Sequence, residues 1–518
     1  MRTVVFAFFL VQAAAFVPSF FNGRPKHGLV DHGARLVHRL AGTQNHLDVV
    51  PDYPGLSIFN FTQNVTHFDD TNSDTFQQRY WYNSNYTKNK NIVFLMIQGE
   101  SEATDRWAGY SGYQYLQMAS IHGADVFQLE HRCFGHSRPY NNLEASTLKF
   151  CNIDEALDDI ATFIRAMNDQ YKFINPRWIT FGGSYPGFLS ATFRATYPEL
   201  TVGAVASSAP LIYLFDMWHY AWSMQETLKT RIGCAEAIQE SFDQLSLLTI
   251  TTSGRKTLNT KLNLQPPFTN DTTQIEIDNF FENVFSQYQD VIQYTFDGRN
   301  DDTMTTRNVD TLCSYAMTNK DPVDKVWDVT KWVRSYDPEN NLTIFPNSYS
   351  DFITALQNTT FDDENEADGL PNASNRGWLW LQCGQLGVQQ TTDQGRNIFG
   401  QTVPINYFIR VCKEGFGDDI MSAQQQYDGT NYVRRKWGNG NYKATNVVLP
   451  NGSFDPWHKL GFYTPDEQNN VVPIFISGTA HCADMYEEYE GEPEDLKRAR
   501  KIIYDKVSEF LNDYPDEQ

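Results

Sequence analysis

The sequence is poor in basic residues, and this shortage excludes the partners that a cationic surface would bind. It contains 41 lysines and arginines against 63 aspartates and glutamates, which gives a formal net charge of −22 at pH 7 over 518 residues. A surface of this sign repels nucleic acid and anionic membranes. We therefore expect no nucleic-acid partner. The acidic composition suits an extracellular protein or one of an acidic compartment.

Long apolar runs are absent from the chain after its N-terminal segment. No segment in that remainder approaches the ~20 apolar residues of a membrane span. Residues 1–15 combine a basic start, a short apolar run through Val11 and an Ala-x-Ala end. This pattern is typical of a cleavable signal peptide, and a buried N-terminal helix fits it less well. We expect a soluble mature protein that is secreted or lysosomal. Residues 16–49 are basic and aperiodic, which leaves a flexible tail and a removable propeptide as alternatives.

Cysteine is scarce, and asparagine sequons are frequent. Seven cysteines in an oxidising compartment predict up to three disulfides and one leftover thiol, and their spacing alone does not fix the connectivity. Asn-x-Ser/Thr motifs nominate surface glycosylation sites. The motif at Asn451 is doubtful because its turn is assigned below to the active site. The expected sites are Asn60, Asn64, Asn85, Asn270, Asn341, Asn358 and Asn372.

Short apolar runs separated by helical patterns predict an α/β fold. One of the helical patterns covers residues 153–161. Alternating strands and helices indicate a mostly parallel sheet with helices on both faces. The runs that we interpret as buried strands are Ile92–Ile97, Asp125–Leu129, Trp178–Phe181, Val202–Ser207, Asn446–Leu449 and Val472–Ile476.

Residues 215–395 break this alternation. They are richer in helical periodicity, as in Gln274–Ile292, and contain few runs typical of strands. We interpret them as a mostly helical cap inserted into the sheet domain. The core would then comprise residues 50–214 and 396–518, and an amphipathic helix at Leu496–Leu511 would close it.

The stretch FGGSYPG, residues 181–187, predicts a strained strand-to-helix turn that presents Ser184 as a nucleophile. Small neighbours allow the backbone to turn sharply there. The usual G-x-S-x-G spacing is broken because Pro186 stands where the second glycine would be. Proline is tolerated in the first turn of a helix, where its missing N–H costs little. A glycine-rich turn with an incidental serine is the alternative interpretation.

A serine nucleophile needs a base and an acid that orients the base, and folds with this turn supply them in the order Ser, Asp/Glu, His. Asp455 follows one late strand-like run in a tight turn, and His481 follows the next. His458 lies only three residues from Asp455, so the two have little freedom to converge on a serine. The predicted triad is Ser184, Asp455 and His481. A turn-forming aspartate and a loop histidine are the structural alternatives.

An oxyanion needs preorganised N–H donors. The backbone of Tyr185, directly after the nucleophile, is one candidate. The turn after the first predicted strand supplies the second, because Gly99 allows close backbone approach and Glu100 follows it. An ordinary strand-ending turn is the alternative.

Four groups of residues match the motifs of one known family: Gly182–Gly187, Glu130–Arg132 with Gly135, Ser137 and Pro139, Asp455–Trp457, and Ala480–His481. Together they resemble the family of prolyl carboxypeptidase, dipeptidyl peptidase II and thymus-specific serine protease, over roughly residues 50–515. The resemblance implies an α/β-hydrolase core with a helical cap, a serine exopeptidase that often cuts after proline, lysosomal or secreted placement, and no cofactor or metal. The thymus-specific branch is nearest, because Cys482 and Tyr486 stand where prolyl carboxypeptidase-like members have histidine and arginine.

The resemblance also implies a substrate pocket. The segment WLWLQCGQ, residues 378–385, matches a family segment in which Trp380 replaces tyrosine and Gln385 replaces an acidic residue. Trp378, Trp380 and Gln385 would line the pocket, and Glu100 would capture a substrate amine. Two structural alternatives weigh equally with these pocket roles. The tryptophans would pack between cap and core, and Glu100 would have a structural role.

The disulfides that the resemblance favours are Cys234–Cys313 and Cys383–Cys412. Cys133–Cys151 then completes the set, and Cys482 remains free.

We therefore hypothesise a secreted or lysosomal serine exopeptidase that acts on peptides through an acyl-enzyme on Ser184, with a homodimer as the oligomeric hypothesis. Two alternatives stay open. One is an esterase or lipase on the same fold, since a triad does not distinguish acyl substrates. The other is a non-catalytic binding protein. The sequence does not decide which end of a peptide is trimmed.

Overall fold

One eight-stranded sheet organises the described part of the chain. The computed structural model describes residues 20–21, 24–25, 53–88, 91–299, 301–337, 340–361, 372–395 and 397–512. Strands of the sheet lie in the order β8-β7-β6-β5-β3-β4-β2-β1, and β3 to β8 are all parallel. The strands are β1 (Leu56–Asn64), β2 (Thr75–Asn83), β3 (Ile92–Ile97), β4 (Asp125–Leu129), β5 (Arg177–Gly183), β6 (Gly203–Ser207), β7 (Val447–Gly452) and β8 (Val471–Ile476).

All six predicted strands are present, with ends that differ by up to three residues from the apolar runs. Both faces of a parallel sheet are covered, so each of its strands is a near-continuous apolar run. These runs are what the sequence shows. The antiparallel edge pair β1 and β2 was not predicted. Most side chains of β1 are exposed, so its sequence lacks an apolar run.

Helices cover both faces of the sheet, as predicted. Alternate residues of β3 show the division, because Val93 packs with α4 and α5 on one face while Phe94 packs with α2 and α17 on the other. The helices before β7 that belong to these layers are α1 (Asp105–Gly109), α2 (Gln114–His122), α3 (Ala145–Leu148), α4 (Ile153–Tyr171) and α5 (Tyr185–Thr196), and the closing helix is α17 (Glu494–Asn512). This architecture is the α/β-hydrolase fold.

Between β6 and β7 the regular structure of the described residues is mostly helical, and it includes one pair of two-residue strands, Leu264–Gln265 and Phe345–Pro346. The apolar core of this region is continuous with that of one face of the sheet. The limits 215–395 for an inserted cap stay a prediction. The helices are α6 (His219–Lys229), α7 (Cys234–Ile250), α8 (Thr252–Leu262), α9 (Gln274–Gln293), α10 (Asp301–Thr305), α11 (Val309–Ala316), α12 (Pro322–Arg334), α13 (Tyr349–Leu356), α14 (Asn372–Leu381), α15 (Ile405–Phe416) and α16 (Ala423–Trp437).

Three disulfides are present, of which two join the pairs that the resemblance favours and the third joins the remaining predicted pair. They are Cys133–Cys151, Cys234–Cys313 and Cys383–Cys412, and the thiol of Cys482 is free and buried. Within the described ranges, no helix is both long and apolar enough to cross a bilayer. The predicted signal peptide lies outside the described residues.

Burial separates the predicted glycosylation sites from the doubtful one. Asn451 is only 2% exposed, in the turn that ends β7, whereas Asn358 is half-buried. A branched glycan needs open solvent around its asparagine, so the fold leaves no room for one at Asn451. The exposed sequon asparagines are Asn60, Asn64, Asn85, Asn270 and Asn341.

We expect the secreted protein to carry glycans at exposed sequons and none at Asn451. The measurement is peptide mapping after enzymatic deglycosylation in heavy-oxygen water, which marks each formerly glycosylated asparagine as labelled aspartate. Label at Asn451 in folded, secreted protein would contradict the buried position of this side chain.

Candidate active site

Ser184 occupies a strained turn between β5 and α5. Its backbone has φ 64° and ψ −129°, a combination that non-glycine residues avoid unless the surrounding structure imposes it. Two hydrogen bonds fix the turn, since Ser184 N donates to the carbonyl of Ser207 at 2.8 Å and Phe188 N donates to the carbonyl of Ser184 at 2.9 Å. A Cβ at Gly182 would lie 2.2 Å from the Pro186 carbonyl oxygen. Only glycine fits there, so the turn is sharp as predicted.

Asp455 and His481 meet at the carboxyl ends of β7 and β8. The His481 Nδ1 lies 2.8 Å from Asp455 Oδ2, and both side chains are at most 1% exposed. The second oxygen of Asp455 accepts a hydrogen bond from Trp457 N at 3.0 Å. Burial is the largest single influence and lowers the pKa of the His481 imidazole, but the neighbouring Asp455 and Cys482 together raise this pKa well above its usual value. The pair therefore forms a strong base with a fixed orientation.

The end of β6 links the nucleophile turn to the histidine loop. Ser207 accepts the hydrogen bond from Ser184 N, and Ser208 Oγ accepts one from Cys482 N at 2.9 Å. A Cβ on Gly183 would lie 2.8 Å from Cys482 Sγ, so the two loops are in direct contact. The Nε2 of His481 is buried and has no hydrogen-bond partner among the described residues. In this structure no hydrogen bond joins it to Ser184 Oγ, and such catalytic bonds often tighten only when substrate binds.

Gln293, the last residue of α9, holds the acid loop and the base loop together. Its carbonyl accepts a hydrogen bond from His481 N at 3.1 Å. Its side-chain oxygen accepts from Trp457 Nε1 at 2.9 Å and from the Tyr220 hydroxyl at 2.6 Å. The next residue, Tyr294, stands edge-on to the His481 ring with centroids 6.0 Å apart. Helices inserted between β6 and β7 thus complete the support of the predicted triad.

The other titratable side chains near the site form neither a second triad nor a metal centre. His458 Nδ1 lies 2.6 Å from the backbone oxygen of Asp455, so this ring faces the main chain and not the carboxylate. Burial lowers the pKa of His458. Within the described ranges, no group of three or more His, Cys, Asp or Glu side chains is placed to bind a metal ion.

The two predicted oxyanion donors lie on adjoining turns. Tyr185 is the first residue of α5, and the Gly99 turn packs directly against Pro186, since a Cβ on Gly99 would lie 2.5 Å from Pro186 Cγ. The Glu100 side chain is buried, and burial raises its pKa while the nearby charge of Arg24 opposes that rise. A buried carboxylate therefore lies beside the nucleophile turn.

The predicted pocket residues do not converge. Trp378 is near the site, with its ring 5.7 Å from that of Tyr185. Trp380 and Gln385 instead line a separate cavity of about 740 Å³, and Gln385 Oε1 accepts a hydrogen bond from Ile153 N at 2.8 Å. Helical residues are rotated by roughly 100° each, so positions 378 and 380 face nearly opposite directions. The structure does not support a pocket made of all these residues.

Sequence reasoning missed the positioning residues Ser207, Ser208 and Gln293. The pair of serines at the end of a predicted strand was a usable signal, because hydroxyls there can accept from neighbouring loops. Nothing in the sequence around Gln293 distinguishes it from other polar helix residues. Sequence reasoning also missed Asp484, whose Oδ2 accepts a hydrogen bond from Ser207 Oγ at 2.5 Å.

Comparison with known proteins gives consistent results. The family model of serine carboxypeptidase S28 matches residues 63–503. A Caenorhabditis elegans protein, provisionally named a serine protease, is 43% identical over 523 residues, covering 100% of this chain and 95% of the relative. Human lysosomal Pro-X carboxypeptidase is 24% identical over 89% of both chains, and mouse thymus-specific serine protease is 26% identical over 88% of both. A solved Mycobacterium smegmatis proline iminopeptidase aligns with TM-score 0.38 and 11% identity, over 88% of this chain and 100% of its own.

Asp455→Asn should lower kcat/KM by a factor on the order of 10³ to 10⁴, the loss typical of removing a triad carboxylate. Because the base must be neutral, kcat/KM of the wild type should fall as pH drops through the raised pKa of His481. Loss of the aspartate charge should shift this acidic limb to lower pH. The measurement is a pH–rate profile with a peptide substrate, and the control is Asp505→Asn on the exposed face of α17. An unchanged limb in the Asp455 variant would contradict the electrostatic role.

Asp484→Asn should increase stability in a pH-dependent way. Burial raises the pKa of Asp484 from 3.8 to about 6, so the folded protein binds this proton more tightly than the unfolded chain does. Stability then falls as pH rises from about 4 to about 6, and ionisation at pH 7 costs about 3 kcal/mol. Asparagine keeps an acceptor for Ser207 without that cost. The measurement is the Tm of variant and wild type from pH 4 to pH 7, and the difference between the two should widen over this range. A difference that stays constant would contradict the predicted cost of ionising Asp484.

Proposed function

The chain belongs to the serine carboxypeptidase S28 family and is a serine-type peptidase, and from that membership we propose that Ser184, His481 and Asp455 are its catalytic triad. The observation that carries the assignment is the buried 2.8 Å contact between His481 and Asp455, formed at the same sheet edge as the strained Ser184 turn. The family resemblance predicted from the motifs is confirmed.

In the proposed reaction, His481 Nε2 takes the proton of Ser184 Oγ as the oxygen attacks the scissile carbonyl. Asp455 holds the imidazole in the tautomer with the proton on Nδ1 and stabilises the imidazolium. Backbone N–H groups of Tyr185 and Glu100 donate to the oxyanion. When the tetrahedral intermediate collapses, the leaving amine takes the proton from His481, and water then hydrolyses the acyl-enzyme by the reverse sequence of proton transfers.

Exopeptidase action is the second part of the proposal. The polypeptide between β6 and β7 reaches the site through Gln293 and Tyr294, so it narrows the approach to Ser184 and favours chain ends over folded protein. Trp378 packs against Tyr185, the residue after Ser184, and an aromatic wall near the nucleophile suits a proline ring. A relative named Pro-X carboxypeptidase agrees with a post-proline preference.

Placement in the secretory pathway, as a glycoprotein that is secreted or lysosomal, is the third part of the proposal. The three disulfides and the lysosomal name of one relative support it. The signal peptide and the homodimer stay predictions.

Ser184→Ala should abolish turnover while folding and secretion persist, because the change removes only the hydroxyl from an intact turn. Both proteins would be incubated with a mixed peptide library at about pH 5 and pH 7, the range over which a histidine base changes charge, and the products identified by mass spectrometry. Products made only by the wild type would reveal which end and which residue are cut.

Three results would count against the proposal. Cleavage by Ser184→Ala at the wild-type rate would remove Ser184 from the mechanism. Hydrolysis of esters without any hydrolysis of peptides would favour an esterase on this fold. Failure of the wild type to react with a fluorophosphonate, together with no products, would favour a binding protein or an uncleaved zymogen.

A further inference from the structure

A short N-terminal hairpin lies against the helices inserted between β6 and β7. Its described residues are 20–21 and 24–25, which pair antiparallel with Phe21 opposite Arg24. We refer to these four residues as the arm. They fall in the basic segment 16–49, for which the sequence left a tail and a propeptide as alternatives.

Arg24 is buried beside the candidate active site. Its side chain is 3% exposed, its Nε donates to the Glu100 carbonyl at 3.0 Å, and its Nη1 donates to Asn375 Oδ1. The carboxylate of Glu100 attracts it electrostatically. Asn375 belongs to α14, so this one guanidinium joins the core turn that follows β3 to a helix of the inserted region.

Phe21 gives the arm a second anchor. Its ring packs against Phe352 at a centroid distance of 5.0 Å and against Phe408 at 6.0 Å. These two rings belong to α13 and α15, so the anchor lies within the inserted region and the helices that follow it. The arm is therefore held by apolar contacts at one residue and by polar contacts at another, and the two anchors can be tested separately.

The position of Arg24 is one that an incoming substrate would need. Glu100 is the predicted second oxyanion donor, and its turn packs on Pro186, two residues after the nucleophile. The carboxylate of Glu100 is close enough to His481 to interact with its charge. A guanidinium bound to the Glu100 carbonyl is thus attached to the turn that packs against the nucleophile turn.

Charge balance explains why a cation belongs there. Glu100 is 6% exposed, and its Oε2 makes no hydrogen bond within the described ranges. A buried carboxylate is costly unless a positive group accompanies it. Arg24 supplies that group from the chain itself. A substrate carrying an amine or a guanidinium would supply the same charge.

We propose that the arm is an intramolecular inhibitor in which Arg24 occupies a cation subsite beside Glu100 that a positively charged group of the substrate must take. The proposal rests on Ser184 being the nucleophile. It makes the protein described here a self-blocked form, which becomes active when the arm leaves the subsite. Substrates with a positive group near the cleaved bond are then favoured, because they restore the charge that Arg24 provided.

The test compares kcat/KM of wild type, Arg24→Ala and Phe21→Ala on a fluorogenic peptide with a free amino terminus. Either substitution weakens the arm, so we expect kcat/KM to rise at least about fivefold, since apparent affinity scales with the fraction of open molecules. Arg165→Ala, which removes an exposed arginine of α4, is the matched control and should leave kcat/KM unchanged. Unchanged or lower activity in both arm variants, with Tm lowered, would show that the arm is only structural.

A peptide copy of the arm gives an independent measurement. A synthetic peptide with the sequence of residues 18–27, PSFFNGRPKH, should inhibit Arg24→Ala competitively, and the same peptide with alanine in place of its arginine should not. Equal inhibition by both peptides, or none by either, would overturn the proposal.

Fluorophosphonate labelling separates failure of this inference from failure of the proposed function. If Ser184 is labelled in the wild type as fast as in Arg24→Ala and their kcat/KM values agree, the arm does not inhibit but the triad stands. If no variant is labelled, the triad assignment fails and the inhibitor proposal fails with it.

Discussion

The site depends on a carboxylate that is buried and fully paired. Asp455 has no exposed surface, and its charge is tolerated because one oxygen faces His481 and the other accepts from Trp457 N. That pairing fixes the plane of the imidazole and the direction of Nε2. Neighbouring residues hold the loops that carry this pair. Ser208 binds the loop of His481, and Gln293 binds the loops of both Asp455 and His481. A shift of Ser208 or Gln293 changes where the base points, whereas a shift of Ser207 moves the Ser184 turn directly.

The predicted triad was accessible from the sequence because each member follows a strand, and strand ends are visible as breaks in apolar runs. The parallel sheet and its helical layers were predictable for the same reason. The edge strands β1 and β2 were not, because a half-exposed antiparallel pair has no continuous apolar run. Contacts between distant segments, such as Gln293 with His481, leave no local pattern to detect.

The pocket prediction shows that a resemblance between sequences does not fix which side chains line a pocket. The segment that contains Trp378, Trp380 and Gln385 aligns with a family segment, with substitutions at positions 380 and 385, yet the helix distributes these side chains over different surfaces. A π-helical turn, Gln382–Leu386, then changes the angular position of the residues that follow α14. Matching letters identify the segment, but the local helical geometry decides which side chains reach the site.

Gln293 has a consequence for how the protein can be divided. The residue belongs to the helices inserted between β6 and β7, yet it bonds to the loops that carry both the acid and the base. A sheet domain expressed without those helices would keep the sequence of the proposed triad and lose the hydrogen bonds from Gln293 that position its loops. The sheet domain therefore depends on the inserted region for the position of these loops. Exchanging the inserted region between relatives would transplant part of the catalytic framework along with any specificity.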